Sequence, residues 1–470
     1  MKLVAYTEDG PIAGASTAWS LRRPAHYGTI IAGNGLFGTS TALATIGGSG
    51  DITQGAGSVL MVSPPAGKRL SSSIGRTRIT RGSNEENKSY TEMARSSNAV
   101  FRSLETRAGE ILRPLPCFTL VPQGSAGEEM IRSNHVGLMD QRLAQTHDGA
   151  ALKDLGFLGE ASDWVAFEDQ SAATIDPQNF LKRANERLGA AGVQKLSGFV
   201  ESWRTFPDHV VVNIRNKTGD LEFATAQRLV LATAGETGAL LRKSGQQELA
   251  DSFSVKRVPL YFFDWPKGLK ECAIRIVRGD GQGNWYAMQE KDDAGGSFLK
   301  MGFHNGGGVV PDAKDVPRKV TNEEIQAAKI AIEAVVGQAL TYRNAFVCHY
   351  TLTKKHAGAL RGVPIVGPIP GTNGRVALVS GGNGNGAKLA PSLGRLASSL
   401  FERAPTEDDR PFLPASQLGD PLRLHAAALG GDAGATVRTS AKAVASRDRQ
   451  VRLAPALAGA RTTRWMTLAG

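Results

Sequence analysis

One glycine-rich segment near the start of the chain constrains the fold more than any other feature. Residues 28–32 (GTIIA) form an apolar run that predicts a buried strand, and Gly33, Gly35 and Gly38 follow it with the spacing Gly-x-Gly-x-x-Gly. The residues after them have helical spacing, and a second apolar run at 58–62 predicts another strand. This order predicts a βαβ unit whose helix N-terminus binds the pyrophosphate of a dinucleotide.

The acidic residue that such a unit usually carries at the end of its second strand is missing. Ser63 stands at that place, and Lys68 and Arg69 follow it. An acid there binds ribose hydroxyls, whereas a serine with nearby bases suits a 2′-phosphate and would favour NADP. The alternative, which we prefer, is that the Ser63 hydroxyl or a water contacts the ribose. The glycine motif by itself does not choose FAD over NAD(P).

Length and composition exclude several classes of protein. The chain has 470 residues, 41% of them hydrophobic, which is enough for two domains with sizeable cores. The 55 glycines follow no Gly-X-Y period, which excludes collagen. Three scattered cysteines do not make a disulfide framework, and the histidines lack ligand spacing, so we expect no metal. Without a secretory signal or a membrane-spanning pattern, we expect a cytoplasmic protein with no membrane contact.

The basic charge is concentrated at the end of the chain. The formal net charge is +11, and residues 420–470 hold eight basic and three acidic residues. The remainder is only mildly basic and has no basic–aromatic pattern, so we predict no nucleic-acid partner. A protein that binds nucleic acid or another partner through this tail remains the non-enzymatic alternative.

Periodicity and capping signals predict further elements along the chain. Asp176 followed by Pro177 predicts the start of a helix, and residues 321–336 form an amphipathic helix with Glu323 and Glu324 in its first turn. Other predicted helices cover 39–46, 90–107 and 386–401, and other predicted strands cover 195–203, 208–215, 220–227, 229–233, 298–304, 346–352 and 375–380.

Five segments together resemble a known family. They are residues 71–81 (SSSIGRTRITR), 229–235 (LVLATAG), 298–304 (FLKMGFH), 347–353 (VCHYTLT) and 381–395 (GGNGNGAKLAPSLGR). In this order and at this spacing they resemble segments of monomeric sarcosine oxidase and N-methyltryptophan oxidase. These enzymes belong to the D-amino-acid-oxidase-like flavoproteins, and the resemblance runs from about residue 27 to 403.

The resemblance implies an α/β fold in two domains. A doubly wound, Rossmann-like FAD-binding domain would comprise residues 27–110, 175–250 and 345–405. A second, mixed-sheet substrate domain would comprise residues 111–174 and 251–344. Residues 1–26 would form an N-terminal extension, and residues 406–470 a basic tail that we expect to be disordered.

The resemblance also implies roles for residues near the substrate. Arg81 and Lys388 match the positions that hold the substrate carboxylate, and a guanidinium and an ammonium suit that anion. Lys300 matches the lysine that promotes the reaction of the flavin with O2. His304 and Tyr350 match active-site residues near the substrate amine. Taken alone, Lys300 would be interpreted as a solvated strand lysine and His304 as a structural histidine.

A further set of residues is implied to contact FAD. Cys348 matches the cysteine that bonds covalently to the flavin ring, although composition alone would make it an inert buried thiol. Arg78 matches an arginine over the flavin. The complete set is Gly33, Gly35, Leu36, Phe37, Gly38, Ser63, Thr77, Arg78, Ala234, Gly235, Cys348, Gly382, Gly384, Gly386 and Lys388.

Several positions depart from the family pattern. A histidine of the sarcosine oxidases is replaced by Ile74 in this chain. The family sequence Gly-Asp-Thr-Arg corresponds to Gly-Arg-Thr-Arg at residues 75–78, so Arg76 stands in place of the aspartate. Glu236 stands where a tryptophan is common, and His349 stands where an apolar residue is usual. These changes bear on substrate identity more than on flavin binding, so we do not expect sarcosine itself to be the substrate.

The sequence therefore predicts an FAD-dependent oxidase of a primary or secondary amine in an amino-acid-like substrate. Its partners would be a small amine-containing carboxylate and O2, and the chain would work as a monomer or an oligomer. The alternatives are a flavin dehydrogenase with another electron acceptor and an NADP-dependent reductase.

Overall fold

The structure is a computed structural model of the chain. It describes residues 6–7, 10–11 and 25–417, the last without 49–57, 66–72, 74, 85–88, 108, 141–143, 161–163, 279–283, 293, 305 and 355–361. The basic tail from residue 418 onwards, most of the N-terminal extension, Lys68, Arg69 and Ile74 lie outside the described residues. In the described part, no helix is long and apolar enough to cross a membrane.

The described residues contain 21 strands. They are β1 (Tyr6–Thr7), β2 (Gly10–Pro11), β3 (His26–Ala32), β4 (Val59–Ser63), β5 (Arg78–Thr80), β6 (Leu112–Pro114), β7 (Cys117–Pro122), β8 (Ala144–His147), β9 (Trp164–Asp169), β10 (Ala173–Ile175), β11 (Gln194–Thr205), β12 (Val210–Asn216), β13 (Leu221–Leu231), β14 (Phe253–Asp264), β15 (Ala273–Val277), β16 (Asn284–Lys291), β17 (Ser297–Phe303), β18 (Val309–Val310), β19 (Tyr342–Thr353), β20 (Ile365–Pro368) and β21 (Val376–Ser380).

Ten α-helices accompany these strands in the described part of the chain. They are α1 (Leu36–Gly48), α2 (Ser89–Ser103), α3 (Ala126–Asp140), α4 (Gly149–Asp154), α5 (Pro177–Ala190), α6 (Thr237–Lys243), α7 (Gln247–Ala250), α8 (Asn322–Val336), α9 (Gly386–Ser399) and α10 (Pro414–Gln417). Short 3-10 helices lie at Ala234–Glu236, Ala313–Asp315 and Arg410–Phe412.

The first large sheet has seven strands in the order β12-β11-β4-β3-β13-β21-β20. Its centre is parallel: β3 pairs with β4 and with β13, and β13 pairs with β21. Helices α1, α2, α5 and α9 cover one face, while α6 and α7 contribute leucines to the core on the other. This is the predicted doubly wound α/β arrangement, because a parallel sheet must bury both of its faces.

The second large sheet has nine strands and is mixed. Its order is β18-β14-β17-β16-β15-β7-β9-β8, with β19 paired to β14. Because side chains alternate along a strand, one face packs its apolar residues, among them Phe263, Ile274 and Met301, with α4 and α8. The other face points toward the cavity described below. The predicted mixed-sheet part is thus present.

Local sequence signals account for the helix termini. The Asp176 side chain caps α5 because it accepts hydrogen bonds from the backbone N–H groups of Gln178 and Asn179. Thr321 and Glu324 form a capping box at the start of α8. Helix α2 ends at Ser103, four residues before the predicted end. The chain turns there because the Glu105 carboxylate accepts the backbone N–H groups of Ile111 and Leu112 and fixes a tight loop.

Two sequence predictions about strands need correction. The separate strands predicted at 220–227 and 229–233 are one strand, β13, which pairs with β12 in its first half and with β3 and β21 toward its end. The sequence prediction also places residues 345–353 in the FAD-binding domain, within its segment 345–405. They lie in β19, which pairs along its length with β14, so they belong to the second sheet.

Candidate active site

A large cavity lies where the two sheets meet. Its volume is about 710 Å3, and it reaches from the ends of β3, β4 and β13 to the face of the second sheet that is turned away from α4 and α8. Ala32, Val62 and Ala232 line it at the strand ends, and Met288 and Lys300 line it on the second sheet. The volume falls in the range of about 300–1,000 Å3 that is typical of ligand sites.

The first glycine turn forms one end of this cavity. Gly33 has a φ of +112°, a conformation that side chains disfavour, and its N–H donates to the carbonyl of Val62 at 2.7 Å. A Cβ on Gly38 would lie 2.8 Å from the carbonyl carbon of Gly33, so this glycine lets α1 pack on the strand ends. Gly35, Leu36 and Phe37 line the cavity. The backbone is therefore open at the N-terminus of α1.

Two further turns close the same end. Ala234 adopts a φ of 50° after β13 and lines the cavity. Gly382, Gly384 and Gly386 line it at the start of α9, between the strand end of β21 and the first helical turn. The left-handed Asn383 holds this loop because its N–H donates to the carbonyl of Thr351 at 3.0 Å.

Three predicted cofactor residues do not line the cavity, and the first of them, Gly38, packs against the backbone of Gly33. Gly235 packs away from it, and a Cβ there would lie 2.8 Å from both Ala313 and the ring of His349. Ser63 ends β4, but its neighbours Val62 and Pro64 form the wall at that point.

Lys300 is buried in the wall that the second sheet contributes. Its ammonium donates to the carbonyl of Thr77 at 2.8 Å, to the Thr77 hydroxyl at 3.1 Å and to Glu290 Oε2 at 3.1 Å. Burial and the nearby Arg78 guanidinium lower the pKa of Lys300 to about 8, although Glu290 opposes this change. Lys300 lies on β17 and His304 directly follows the end of this strand, and both line the cavity.

Glu290 is a site residue that sequence reasoning missed. It lies on β16, is only 4% exposed, and accepts hydrogen bonds from Lys300 and from the Thr77 hydroxyl. In the sequence it belongs to the charged run QEKDD, which is typical of a solvated turn. No signal distinguishes it, because its burial depends on contacts from β5 and β17.

Tyr350 and His304 lie close together in the wall of the same cavity. The Tyr350 hydroxyl is 3.2 Å from the Tyr286 hydroxyl, and the His304 ring centroid is 5.8 Å from that of Tyr350. Burial raises the pKa of Tyr286 to about 12 and that of Tyr350 well above 10, so both phenols stay protonated donors at neutral pH. Tyr286 is not among the site residues that the sequence predicts.

The two predicted substrate cations also line the cavity. Arg81 follows β5, is 6% exposed, and donates to the carbonyl of Ser83 at 2.7 Å. Lys388 is in the first turn of α9, is 3% exposed, and donates to the side-chain oxygen of Asn84. The structure therefore brings the two predicted cations to one cavity.

Cys348 and Arg78 complete the wall. Cys348 lies on β19 opposite Val258 of β14, and its thiol side faces the cavity with Tyr350. Arg78 begins β5 and donates to the carbonyl of Thr77 at 2.6 Å. His349 points to the other face of β19 and is 2% exposed, and burial lowers its pKa to about 4. The histidine after the cysteine is thus a packing residue away from the cavity.

Glu236 brings an unusual carboxyl to the cavity wall. Burial, with the nearby Asp312 carboxylate, raises the pKa of Glu236. Its Oε1 atom is buried and has no hydrogen-bond partner among the described residues. The position that carries tryptophan in the sarcosine oxidases is therefore polar in this cavity.

Comparison with known proteins settles the family. The family described as FAD dependent oxidoreductase matches residues 12–400 of the chain. The chain belongs to this family. The match favours FAD over NADP at the glycine turn. No curated protein matches the chain.

Several solved structures share the fold of this FAD-dependent oxidoreductase. NikD, described as an unusual amino acid oxidase essential for nikkomycin biosynthesis, is 16% identical, with a TM-score of 0.68 and coverage of 83% of this chain and 98% of its own. L-proline dehydrogenase from P. horikoshii is 13% identical, with a TM-score of 0.65 and the same two coverages. Glycine oxidase from Geobacillus kaustophilus is 16% identical, with a TM-score of 0.63 and again the same coverages.

The residues present fit FAD. The Gly33–Gly38 turn opens the N-terminus of a 13-residue helix to the cavity, which suits a pyrophosphate. The space then continues to a wall that carries a buried cation and two protonated phenols, which suits the polar edge of a flavin ring. In the described residues, no group of three histidine, cysteine or acidic side chains could hold a metal ion.

Proposed function

We propose that this FAD-dependent oxidoreductase oxidises a primary or secondary amine in an amino-acid-like carboxylate and passes the electrons to O2, forming H2O2. One observation carries the proposal. The glycine turns, Arg81, Lys388, Lys300 and Tyr350 line one cavity of about 710 Å3, although they come from distant parts of the chain. NikD is described as an amino acid oxidase and glycine oxidase is named for an amino acid, which agrees with this substrate class.

Arg81 and Lys388 would hold the substrate carboxylate. Arg81 is fixed through the Ser83 carbonyl and Lys388 through Asn84, so their charged ends are ordered before the substrate arrives. A charge-assisted contact to such a cation contributes about 1.5–3 kcal/mol. Preordered cations bind the carboxylate with little loss of side-chain entropy, and they orient the amine end of the substrate.

Gly33, Gly35, Ala234 and Gly384 would hold the cofactor, and the Cys348 thiol would bond to it covalently. FAD bound in this cavity supplies the acceptor for a hydride from the carbon next to the substrate amine, which leaves an imine for water to hydrolyse. The Tyr350 and Tyr286 phenols remain protonated and donate hydrogen bonds at this wall. The Lys300 ammonium places a positive charge where O2 would gain negative charge.

The proposal has a direct spectroscopic test. The purified protein should show flavin absorption that stays with the acid-precipitated protein, and simple carboxylates should perturb this spectrum. Amino acids should reduce the flavin under anaerobic conditions, whereas the corresponding amines without a carboxylate should do so at least tenfold more slowly. Equal rates with an amine and its carboxylated analogue would remove the carboxylate site from the proposal.

A matched pair of variants separates Arg81 from the general positive charge of the cavity. Arg275 also lines the cavity, but it lies on β15 and donates to the Thr119 hydroxyl. Arg81→Gln should raise the dissociation constant of a carboxylate about ten- to hundredfold, whereas Arg275→Gln should leave it nearly unchanged. Equal effects of the two variants would mean that Arg81 has no specific contact with the carboxylate.

A flavin dehydrogenase is the second candidate, and one contact favours it. Glu290 lies 3.1 Å from the Lys300 ammonium and offsets part of its charge, which reduces the help that Lys300 gives to O2. Anaerobic reduction by substrate followed by an oxygen pulse separates the two functions. Reoxidation within milliseconds to seconds supports the oxidase, and reoxidation over many minutes supports the dehydrogenase.

A further inference from the structure

Glu290 lies between the large cavity and a second one. The second cavity has a volume of about 320 Å3 and is lined by Glu290, three phenylalanines and polar side chains that include Arg76, Asp292 and Arg343. Arg76 is exposed and Phe346 is 43% exposed, so this cavity opens to the surface. The carboxyl of Glu290 is therefore the link between a solvent-facing opening and the Lys300 ammonium in the wall of the large cavity.

The sheet register produces this link. On β16 and β17, Met288 is opposite Lys300 and Glu290 is opposite Phe298. Glu290 and Met288 share a face, so Glu290 and Lys300 are diagonal neighbours on that face, within reach of long side chains. Their charged atoms meet at 3.1 Å, with side-chain exposures of 5% and 3%. The pair thus spans the wall between the two cavities.

The groups around the pair differ on its two sides. Toward the large cavity, the Lys300 ammonium faces the Arg78 guanidinium and the Cys348 thiol. Toward the second cavity, Glu290 faces Arg76, Asp292 and Arg343, which have access to water. Thr77 bridges the pair, because its hydroxyl accepts from Lys300 and donates to Glu290. A cofactor and a substrate in the large cavity would cover the Lys300 side, while the Glu290 side would stay open.

We propose that Glu290 takes protons from solvent in the second cavity and passes them to Lys300, so that it acts as a positioning and proton-supplying residue behind the lysine. This inference rests on the proposed oxidase function. Reduction of O2 to H2O2 takes up two electrons and two protons. A reduced flavin bound in the large cavity would supply both electrons and one of the protons. Lys300 would give the second proton, water in the second cavity would protonate the Glu290 carboxylate, and Glu290 would pass that proton to the neutral amine, which restores the ion pair.

The first test needs no flavin. Lys300 acetylation by acetic anhydride is followed by mass spectrometry across pH in flavin-free protein, because only the neutral amine reacts. The half-maximal rate should fall near pH 8 in the wild type, which is the pKa of Lys300. Glu290→Gln removes the stabilising anion and should lower this midpoint by about 1–3 pH units. Asp292→Asn, which removes another carboxylate of the second cavity, should leave it unchanged.

The second test measures proton supply in the flavin-loaded enzyme. The flavin is reduced by light rather than by substrate, and the enzyme is then mixed with oxygenated buffer of a different pH. In the wild type and in Asp292→Asn, the reoxidation rate should follow the pH after mixing, because Lys300 re-equilibrates through Glu290. In Glu290→Gln, the rate should follow the pH before mixing, because the lysine keeps its initial proton state.

The results of these two tests distinguish a failure of the proton supply through Glu290 from a failure of the proposed oxidase function. A wild-type rate that follows the pH before mixing overturns the proton supply without any variant, and so does a Glu290→Gln rate that follows the pH after mixing. An unchanged acetylation midpoint in Glu290→Gln also overturns it. If the wild-type reduced flavin does not react with O2 at all, the oxidase function fails and takes the proton supply with it, whatever the acetylation midpoint shows.

Discussion

The close packing of Gly38 gives a prediction with a matched control on the same helix. A Cβ on Gly38 would lie 2.8 Å from the carbonyl carbon of Gly33, closer still to its oxygen, and 3.3 Å from the Cβ of Ala232. The first two atoms are backbone and cannot rotate away. The Gly33 N–H bond to Val62 further anchors this turn to the end of β4. Gly38→Ala therefore forces α1 away from the strand ends.

Gly47 provides the control because it lies on α1 and a Cβ there meets nothing within 4 Å. Overpacking at Gly38 should destabilise the protein by about 1–3 kcal/mol. Gly47→Ala should be neutral or should stabilise the protein by about 0.4–1 kcal/mol. The position is exposed and helical, and alanine lowers the conformational entropy of the unfolded chain. The same chemical change should thus have opposite effects at two positions nine residues apart in one helix.

Two measurements test the pair. Denaturation midpoints of flavin-free protein report the packing effect, and the ratio of flavin absorbance to protein absorbance reports cofactor binding. Gly38→Ala should lower both, because displacement of α1 moves the N–H groups that would hold the pyrophosphate. Gly47→Ala should keep full flavin content. A Gly38→Ala protein with wild-type midpoint and flavin content would refute the close-approach argument for this turn.

Three further predictions follow from single residues. Cys348→Ser should release flavin on acid precipitation, and wild-type protein that already loses all its flavin to acid contradicts covalent attachment. Lys300→Met should slow flavin reoxidation on the order of a hundredfold while changing flavin reduction much less, as rapid mixing of pre-reduced enzyme with oxygen would show. Burial lowers the pKa of His349 to about 4 from 6.5, so the unfolded chain binds a proton that the folded protein excludes between these values. Stability from this residue should be complete above about pH 6.5 and lost as the pH falls to about 4, on the order of 3 kcal/mol in total. Denaturation midpoints of His349→Asn should show a flatter pH dependence over this window, and an identical dependence would contradict the assignment.

The sequence alone was sufficient for features that depend on neighbours in the chain. The Gly33, Gly35 and Gly38 spacing predicted the β3–α1–β4 unit, because tight turns and apolar runs act over a few residues. Asp176 and Thr321 predicted helix starts for the same reason, since a cap bonds to N–H groups two or three residues away. The alternation in 298–304 likewise predicted the strand β17, which carries Lys300.

The tertiary structure decided everything that depends on distant contacts. Glu290 is a site residue only because β5 and β17 bring Thr77 and Lys300 to it, 213 and 10 residues away. Tyr286 is one because β16, β17, β14 and β19 are successive neighbours in the second sheet, so that its hydroxyl and that of Tyr350 lie 3.2 Å apart across the two middle strands. The pairing of β19 with β14 is also the reason why residues 345–353 belong to the second sheet and not to the FAD-binding part that the sequence predicts. Strand pairing joins residues without regard to their separation in the chain, so no local pattern encodes which charged side chain becomes buried beside which partner.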